Sequence, residues 1–206
     1  SWPIWRGRRR KHSGGGRSRL RRVAPRARAK MRIYTVGHST RTLEDLVEVL
    51  RAAGISAVAD VRRFPASRRH PQFGRDTFAA GLAEKGLRYV WLGEALGGRR
   101  KALLRPEESP NRAWQVAAFR NYADAMTTPE FLAGIADLEA LARETPTAFL
   151  CAERLWWQCH RRLISDFLLV RGWTVIHLHD RETAREHELT AWARVEDGAL
   201  TYPALV

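Results

Sequence analysis

The alternation of short apolar runs with amphipathic helical patterns constrains the fold of this chain more than any other feature. Residues 32–36 read as a buried strand, residues 42–53 as a helix and residues 56–61 as a second strand. The spacing of Thr42 and Asp45 is that of a capping box at the start of the helix. A strand–helix–strand unit of this length implies parallel strands joined by a right-handed crossover.

The same alternation continues along the rest of the chain. We predict three more strands, five more helices, a loop and a hairpin: strands 87–91, 147–151 and 173–178; helices 76–85, 112–126, 129–143, 159–171 and a short one over 183–188; a loop over 92–111; and a hairpin of 193–195 with 200–202. The sequence therefore predicts an α/β fold, a mostly parallel open sheet with helices on both faces and a small C-terminal hairpin.

The formal net charge of +14 is concentrated at the N-terminal end. Twelve of the 36 Lys and Arg residues lie in residues 1–30, which contain no acidic residue, whereas residues 31–206 hold 24 basic and 22 acidic residues. We expect residues 1–30 to be a disordered basic extension outside the folded domain, since they are rich in Gly, Ser and Arg. The alternative is an arm that binds nucleic acid by neutralising phosphates. Residues 31–206 are expected to form a single, nearly neutral α/β domain.

Several classes of protein are not expected. The sequence has no apolar run of ~18 residues, so we expect no membrane span and no membrane partner. It also has no apolar segment typical of a secretory signal. With only Cys151 and Cys159 as cysteines, a cytoplasmic location is expected and a structural disulfide is not, although the pair could act as a redox switch. No cofactor is indicated.

Polar side chains follow the ends of the predicted strands. In an open parallel sheet, ligands bind outside the carboxyl ends of the strands. The candidate catalytic residues are Cys159, His160, Cys151, Glu153 and His38, and the candidate ligand-binding residues are Ser39, Asp60, Arg62, Ser67, Arg161 and His177.

The segment from Cys151 to Arg161 is the most informative. We expect Cys159 to open a helix, where the helix dipole and a neighbouring arginine favour a thiolate. Cys159 or Cys151 would be the nucleophile, and His38 or His160 the acid or base. Arg62 and Arg161 would bind an anion, oriented by Glu153 and Asp60.

Plain structural roles stand beside these functional ones. Cys151 could simply pack in the core, Asp60 and Arg62 could form a salt bridge, and the pair Trp156–Trp157 could be a hydrophobic lid rather than a base-stacking platform. His177 and His179 share a face, so a metal pair is conceivable. Histidines, a carboxylate and thiols could together bind zinc, but the sequence has no CxxC or HExxH spacing, so no metal site is assigned.

The sequence resembles the bacterial and archaeal family known as domain of unknown function 488, from Met31 to about Pro203. The matching elements are Thr35-Val36-Gly37-His38-Ser39, Asp60-Val61-Arg62, Pro65, Ser67, Tyr89, Leu96-Gly97-Gly98, Tyr122, Cys151-Ala152-Glu153, Cys159-His160-Arg161 and Tyr202-Pro203. The resemblance implies an α/β domain and supplies no activity. Residues 154–158 are bulkier than the smaller polar residues expected there, and residues 1–30 have no counterpart.

Three hypotheses for function follow. The first is an enzyme with a Cys/His/Arg/Glu site that acts on a phosphate-bearing or otherwise anionic ligand, such as a nucleotide. The second is a non-catalytic nucleotide or nucleic-acid binding module, in which the loop Arg99-Arg100-Lys101 adds contacts. The third is a metal-dependent hydrolase that uses His38, His177 and His179.

Overall fold

The computed structural model describes residues 31–66 and 70–204; the predicted extension 1–30 and the candidate residue Ser67 lie outside the described residues. The strands are β1 (Arg32–Gly37), β2 (Ala57–Asp60), β3 (Arg88–Trp91), β4 (Thr147–Cys151), β5 (Thr174–Leu178), β6 (Ala184–Glu186), β7 (Arg194–Glu196) and β8 (Ala199–Thr201). The helices are α1 (Leu43–Ala52), α2 (Arg75–Glu84), α3 (Gly93–Leu96), α4 (Ala117–Ala125), α5 (Pro129–Glu144) and α6 (Arg161–Val170), with 3₁₀ turns at Pro71–Phe73 and Trp156–Gln158. No helix in this part of the chain is long and apolar enough to cross a membrane.

Six strands form one sheet in the order β3-β2-β4-β1-β5-β6. The first five are parallel to one another, and β6 pairs antiparallel with β5. The strands β7 and β8 form a separate hairpin, whose turn residues Asp197 and Gly198 both have positive φ, as a two-residue hairpin turn requires. The predicted α/β fold with a mostly parallel sheet and a C-terminal hairpin is confirmed.

Two hydrophobic cores lie on opposite faces of the sheet. The core on one face is built by α1 and α2, and the core on the other by α4, α5 and α6. The fully buried helix residues of the first core include Leu46, Leu50, Phe78 and Leu82, and those of the second include Phe131, Leu138, Leu163 and Leu168. Alternate residues of the central strands contribute to each core, which explains why these strands read as continuous apolar runs.

Local signals account for the start and end of the predicted helices. The Thr42 hydroxyl accepts a hydrogen bond from the backbone N–H of Asp45 at 3.1 Å, as the capping-box spacing predicts. Thr128 caps α5 through the N–H of Phe131 in the same way. Gly54 follows α1 with φ of 69°, a conformation that favours glycine.

Three local predictions were wrong. Residues 183–188 contain β6 instead of a short helix, because the carboxylate of Asp180 accepts hydrogen bonds from the N–H groups of Glu182 and Thr183 and turns the chain back along β5. The helix predicted over 112–126 begins only at Ala117. The predicted loop 92–111 contains the short helix α3.

Candidate functional site

The candidate site lies where β1 and β4 end side by side. Gly37, the last residue of β1, is the register partner of Cys151, the last residue of β4. From here the chain leaves β1 through α1 on one face and β4 through α6 on the other, which is the kind of crevice where open α/β sheets bind ligands. A Cβ atom on Gly37 would lie 1.9 Å from the carbonyl oxygen of Glu153, so only glycine allows these two strand ends to approach so closely.

Two thiols and one imidazole meet at this point. We call Cys151 Sγ, Cys159 Sγ and His160 Nδ1 the thiol–imidazole cluster. Nδ1 lies 3.5 Å from Cys159 Sγ and 3.9 Å from Cys151 Sγ, and all three atoms lie within 4.8 Å of one another. Both cysteines are buried. The cluster therefore brings together three of the predicted catalytic residues.

The orientation of the His160 ring fixes which nitrogen faces the sulfurs. Its Nε2 lies 3.0 Å from the carbonyl oxygen of Val61. Because a carbonyl oxygen only accepts hydrogen bonds, Nε2 is the nitrogen that carries a hydrogen. In the neutral imidazole the lone pair then belongs to Nδ1, which points at both thiols.

The environment favours ionisation of Cys159 over Cys151. Burial acts to raise the pKa of the Cys159 thiol, but a hydrogen bond from Cys151 and the positive charge of Arg161 outweigh it and lower the pKa to about 7. The same hydrogen bond to Cys159, together with burial, raises the pKa of Cys151 to about 12. Cys159 precedes α6 instead of opening it, since the helix begins at Arg161.

The cluster lines a cavity of about 600 Å³. Its apolar lining includes Phe64, Phe119 and Tyr122. The Tyr122 ring centroid lies 5.3 Å from that of His160, and its hydroxyl donates to the Leu96 carbonyl. The cavity is large enough for a small organic ligand and combines an apolar wall with a polar, sulfur-bearing one.

Arginine side chains place positive charge on one wall of the cavity. Arg63 and Arg99 both line it. Arg63 donates to the carbonyl of Glu94 and lies 3.7 Å from the carboxylate of Glu130. Arg99 is exposed, and no hydrogen bond or ion pair engages its side chain among the described residues. Arg99 is thus a cation available to a ligand.

The predicted residues Asp60, Arg62 and His38 form a buried unit beside the cavity. The carboxylate of Asp60 accepts from Arg62 Nε at 2.8 Å and from Nη2 at 2.6 Å, and it also accepts from the Tyr89 hydroxyl. Arg62 Nη1 donates to the carbonyl of Phe73 and to Nε2 of His38. Burial and the nearby Arg62 charge lower the pKa of His38 to about 4, so His38 is neutral at pH 7. Arg62 lines the cavity, but each of its three side-chain nitrogens already donates a hydrogen bond within this unit.

Arg161 and Glu153 differ from their predicted roles. The Arg161 side chain is buried and donates to the hydroxyl of Thr35 and to the carbonyls of Glu153 and Arg154, so it holds the loop after β4 in place. The Glu153 side chain is exposed and lines the cavity. Among the described residues its carboxylate forms no ion pair or hydrogen bond with an arginine, and its backbone carbonyl accepts from Arg161.

Ser39 and His177 lie apart from the cluster. Ser39, with φ of 51°, lines a second hollow that shares Ala152, Glu153 and Gln158 with the first. His177 is buried; its ring stacks on Trp156 with centroids 3.9 Å apart, and its Nε2 lies 2.9 Å from Nδ1 of His187. Burial and the neighbouring His187 lower the pKa of His177 to about 2. Trp156 thus packs against a histidine of β5, and Trp157 remains partly exposed.

The cluster is the group of described residues that could hold a metal ion. Two cysteine sulfurs and one imidazole nitrogen form a familiar zinc-binding set. The three histidines considered from the sequence, His38, His177 and His179, do not form such a group within the described residues.

The sequence did not reveal that Phe119 and Tyr122 line the cavity, or that Trp156 and His187 contact His177. Phe119 and Tyr122 come from α4, which is far from the strand ends in sequence, so only the tertiary fold brings them to the cavity. Gly98 also lines the cavity, and a Cβ there would lie 3.1 Å from Nδ1 of His160, so a side chain at this position would crowd the imidazole.

Comparison with known proteins adds a family and no activity. The model of the family described as "Domain of unknown function DUF488" matches residues 42–168, more than half of the chain. The matched range contains the buried Asp60–Arg62 pair and the whole thiol–imidazole cluster. No curated protein and no solved structure shows a significant match to the chain.

Proposed function

The chain belongs to the DUF488 family, and we propose that it is an enzyme that binds a small phosphate-bearing or otherwise anionic ligand in the cavity and reacts with it through Cys159. One observation carries the proposal: Cys159 Sγ lies 3.5 Å from His160 Nδ1, in a cavity that is also lined by Arg99, whose side chain has no hydrogen bond or ion pair among the described residues. A nucleophilic cysteine with an adjacent base is a recurrent arrangement in covalent catalysis.

Each residue has a distinct part in the proposed reaction. Cys159 supplies the nucleophilic sulfur, which forms a bond to the ligand as the ligand's bond to its leaving group breaks, and His160 Nδ1 accepts the thiol proton. The Val61 carbonyl holds the imidazole in the required tautomer. Arg99 attracts the anionic group of the ligand, and Arg63 adds positive charge beside it. Glu153, the exposed carboxylate of the cavity, is placed to exchange a proton with the bound ligand.

Two alkylating reagents that react by the same mechanism but differ in charge test the proposal. Iodoacetate is an anion and iodoacetamide is neutral. In both, the thiolate sulfur bonds to the CH₂ carbon as iodide leaves. Peptide mass spectrometry measures the rate of alkylation of Cys159 by each reagent. We expect the rate with iodoacetate divided by the rate with iodoacetamide to be about tenfold higher at Cys159 than for free cysteine, because the cavity arginines attract the anion.

Matched variants localise the effect. Arg99→Ala should bring the ratio close to that of free cysteine, and Lys101→Ala, which removes an exposed cation of the same loop that does not line the cavity, should leave it unchanged. Cys159→Ser should remove the modified peptide. The proposal fails if Cys159 does not react with either reagent, or if it reacts with no preference for the anion.

A further inference from the structure

We infer that Cys151, Cys159 and His160 also form a binding site for a thiophilic divalent cation, with Zn²⁺ as the best match. This inference goes beyond the proposed function, because a bound ion would turn the reactive sulfur of Cys159 into a metal ligand. The site would then exist in two states, one with a free thiol and one with a metal ion.

The distances in the cluster are those of ligands around a shared ion. Zinc binds cysteine sulfur at about 2.3 Å and histidine nitrogen at about 2.0–2.1 Å, so in a tetrahedral site a sulfur and a nitrogen lie roughly 3.6 Å apart. The two sulfur–nitrogen distances here are 3.5 and 3.9 Å. All three ligand atoms lie within 4.8 Å of one another, so a small inward movement would complete the geometry.

The imidazole is already oriented as a metal ligand requires. Nδ1 presents a lone pair to both sulfurs because Nε2 donates to the Val61 carbonyl. A hydrogen bond from the far nitrogen to a carbonyl is the usual way in which proteins fix a ligating histidine. The His160 ring thus needs no change of tautomer or orientation to bind an ion.

Charge and access also suit a dication. Binding of the ion would release the thiol protons to solvent, and the two resulting thiolates with one neutral imidazole carry two negative charges, which a divalent ion neutralises. The three residues line the cavity, so an ion can reach the cluster from there. Gly98 lies against the His160 ring, and a side chain there would reach to within 3.1 Å of Nδ1, the nitrogen that would bind the ion.

Metal binding and thiol reactivity should exclude each other. The lone pair of Nδ1 and the sulfur of Cys159 are used either to transfer a proton or to bind the ion. Zinc should therefore protect Cys159 from alkylation reversibly, and removal of the metal should restore the reaction.

Cobalt and zinc titrations of the metal-free full chain test this inference. We expect Co²⁺ to bind one to one, with the intense near-ultraviolet absorption of a cobalt–thiolate bond, and Zn²⁺ to displace it. Stoichiometric Zn²⁺ should slow alkylation of Cys159 by iodoacetamide at least tenfold. If Co²⁺ gives no thiolate absorption, or if Zn²⁺ does not protect Cys159, the inference is overturned.

Variants separate this inference from the proposed function. Cys151→Ser should lose the cobalt absorption, and its rate of alkylation at Cys159, whatever that rate is without metal, should be the same with and without Zn²⁺. His179→Gln, which changes a histidine outside the cluster, should retain the cobalt absorption and the protection by zinc, and circular dichroism checks that each variant folds. Failure of zinc protection in a protein that still prefers iodoacetate would reject the metal site alone. Loss of that preference in the metal-free protein would instead reject the proposed function.

Discussion

Two arginines are buried at this site, and the surrounding chain replaces most of the water that their guanidinium groups lose. Arg62 finds a bidentate carboxylate in Asp60, a carbonyl and a histidine nitrogen. Arg161 finds a hydroxyl and two carbonyls through its two terminal nitrogens, whereas its buried Nε has no hydrogen-bond partner among the described residues. These contacts make both side chains structural supports of the site, and Arg99 is the exposed arginine of the cavity.

The buried pair should be far more important for stability than an exposed one. Asp60→Asn leaves the Arg62 charge buried without its carboxylate, so we expect the free energy of unfolding to fall by about 3–5 kcal/mol. Urea denaturation measures this change. The control is Glu144→Gln, which removes the exposed partner of Arg88 and should cost about 0–1 kcal/mol. If the two variants lost similar amounts of unfolding free energy, this would contradict the structural role of the Asp60–Arg62 pair.

The positions of the site residues in the fold could be predicted better than whether their side chains are buried or exposed. The sequence predicts that Cys151, Cys159 and His160 follow strand ends, and the structure brings them together. It could not show that Arg161 turns inward, because its partners are backbone carbonyls of a loop whose path depends on the whole fold. For the same reason the exposed carboxylate of Glu153 and the burial of His177 could not be predicted.

At the scale of secondary structure, the connections between elements decide where chemistry can occur. The strands β1 and β4 are neighbours but continue on opposite faces, so their ends leave a crevice. The helices with caps and strong periodicity were predicted well. The strand β6 was not, because its pairing with β5 depends on a turn at Asp180 and on an available sheet edge instead of on its own short, polar sequence.

The cap of α1 can be tested directly. Thr42→Ala removes the hydroxyl that accepts from the N–H of Asp45, so we expect the protein to lose about 1 kcal/mol of stability. Thr40→Ala, at a nearby exposed position, should change the stability by less than about 0.5 kcal/mol. Thermal denaturation of the two variants side by side provides the measurement, and an equal effect would show that the cap contributes nothing.

At the scale of the whole molecule, one buried network ties the C-terminal segment to the sheet. The carboxylate of Asp166 on α6 accepts from the Tyr202 hydroxyl and lies 2.8 Å from Nε2 of His187. His187 in turn contacts His177 of β5. The segment after β5 is therefore held by polar contacts that are fully buried, which are costly to break one at a time.

Tyr202→Phe tests that network. The variant keeps the ring but leaves one oxygen of the buried Asp166 carboxylate without its donor, so we expect a loss of about 1–3 kcal/mol. Tyr34→Phe, where no hydrogen bond of the hydroxyl is seen within the described residues, should be close to neutral. Chemical denaturation compares the two, and a neutral Tyr202→Phe would show that the network does not stabilise the fold.

Acid should weaken the contact between α5 and the end of α6. Burial acts to raise the pKa of Glu139, but hydrogen bonds from Arg171 and Trp173 outweigh it and lower the pKa. A carboxyl whose pKa is lower in the folded state stabilises the protein above its unfolded pKa, near 4.5, and loses that contribution as the pH falls through the folded pKa. Glu139→Gln should therefore be less stable than the wild type at pH 7, and the difference should shrink toward pH 3. Urea midpoints at several pH values measure it, and a difference independent of pH would contradict the assignment.

The two edge strands of the sheet affect how the protein behaves at high concentration. Within the described residues the sheet begins at β3 and ends at β6, strands of four and three residues. Bare backbone at a sheet edge is a template for the strands of other molecules, and proteins limit this hazard with short and charged edges. Arg88 on β3, and Arg185 with Glu186 on β6, place charges there. Strands of other molecules should therefore pair poorly with either edge of the sheet, and a concentrated solution of the folded protein should resist edge-to-edge aggregation.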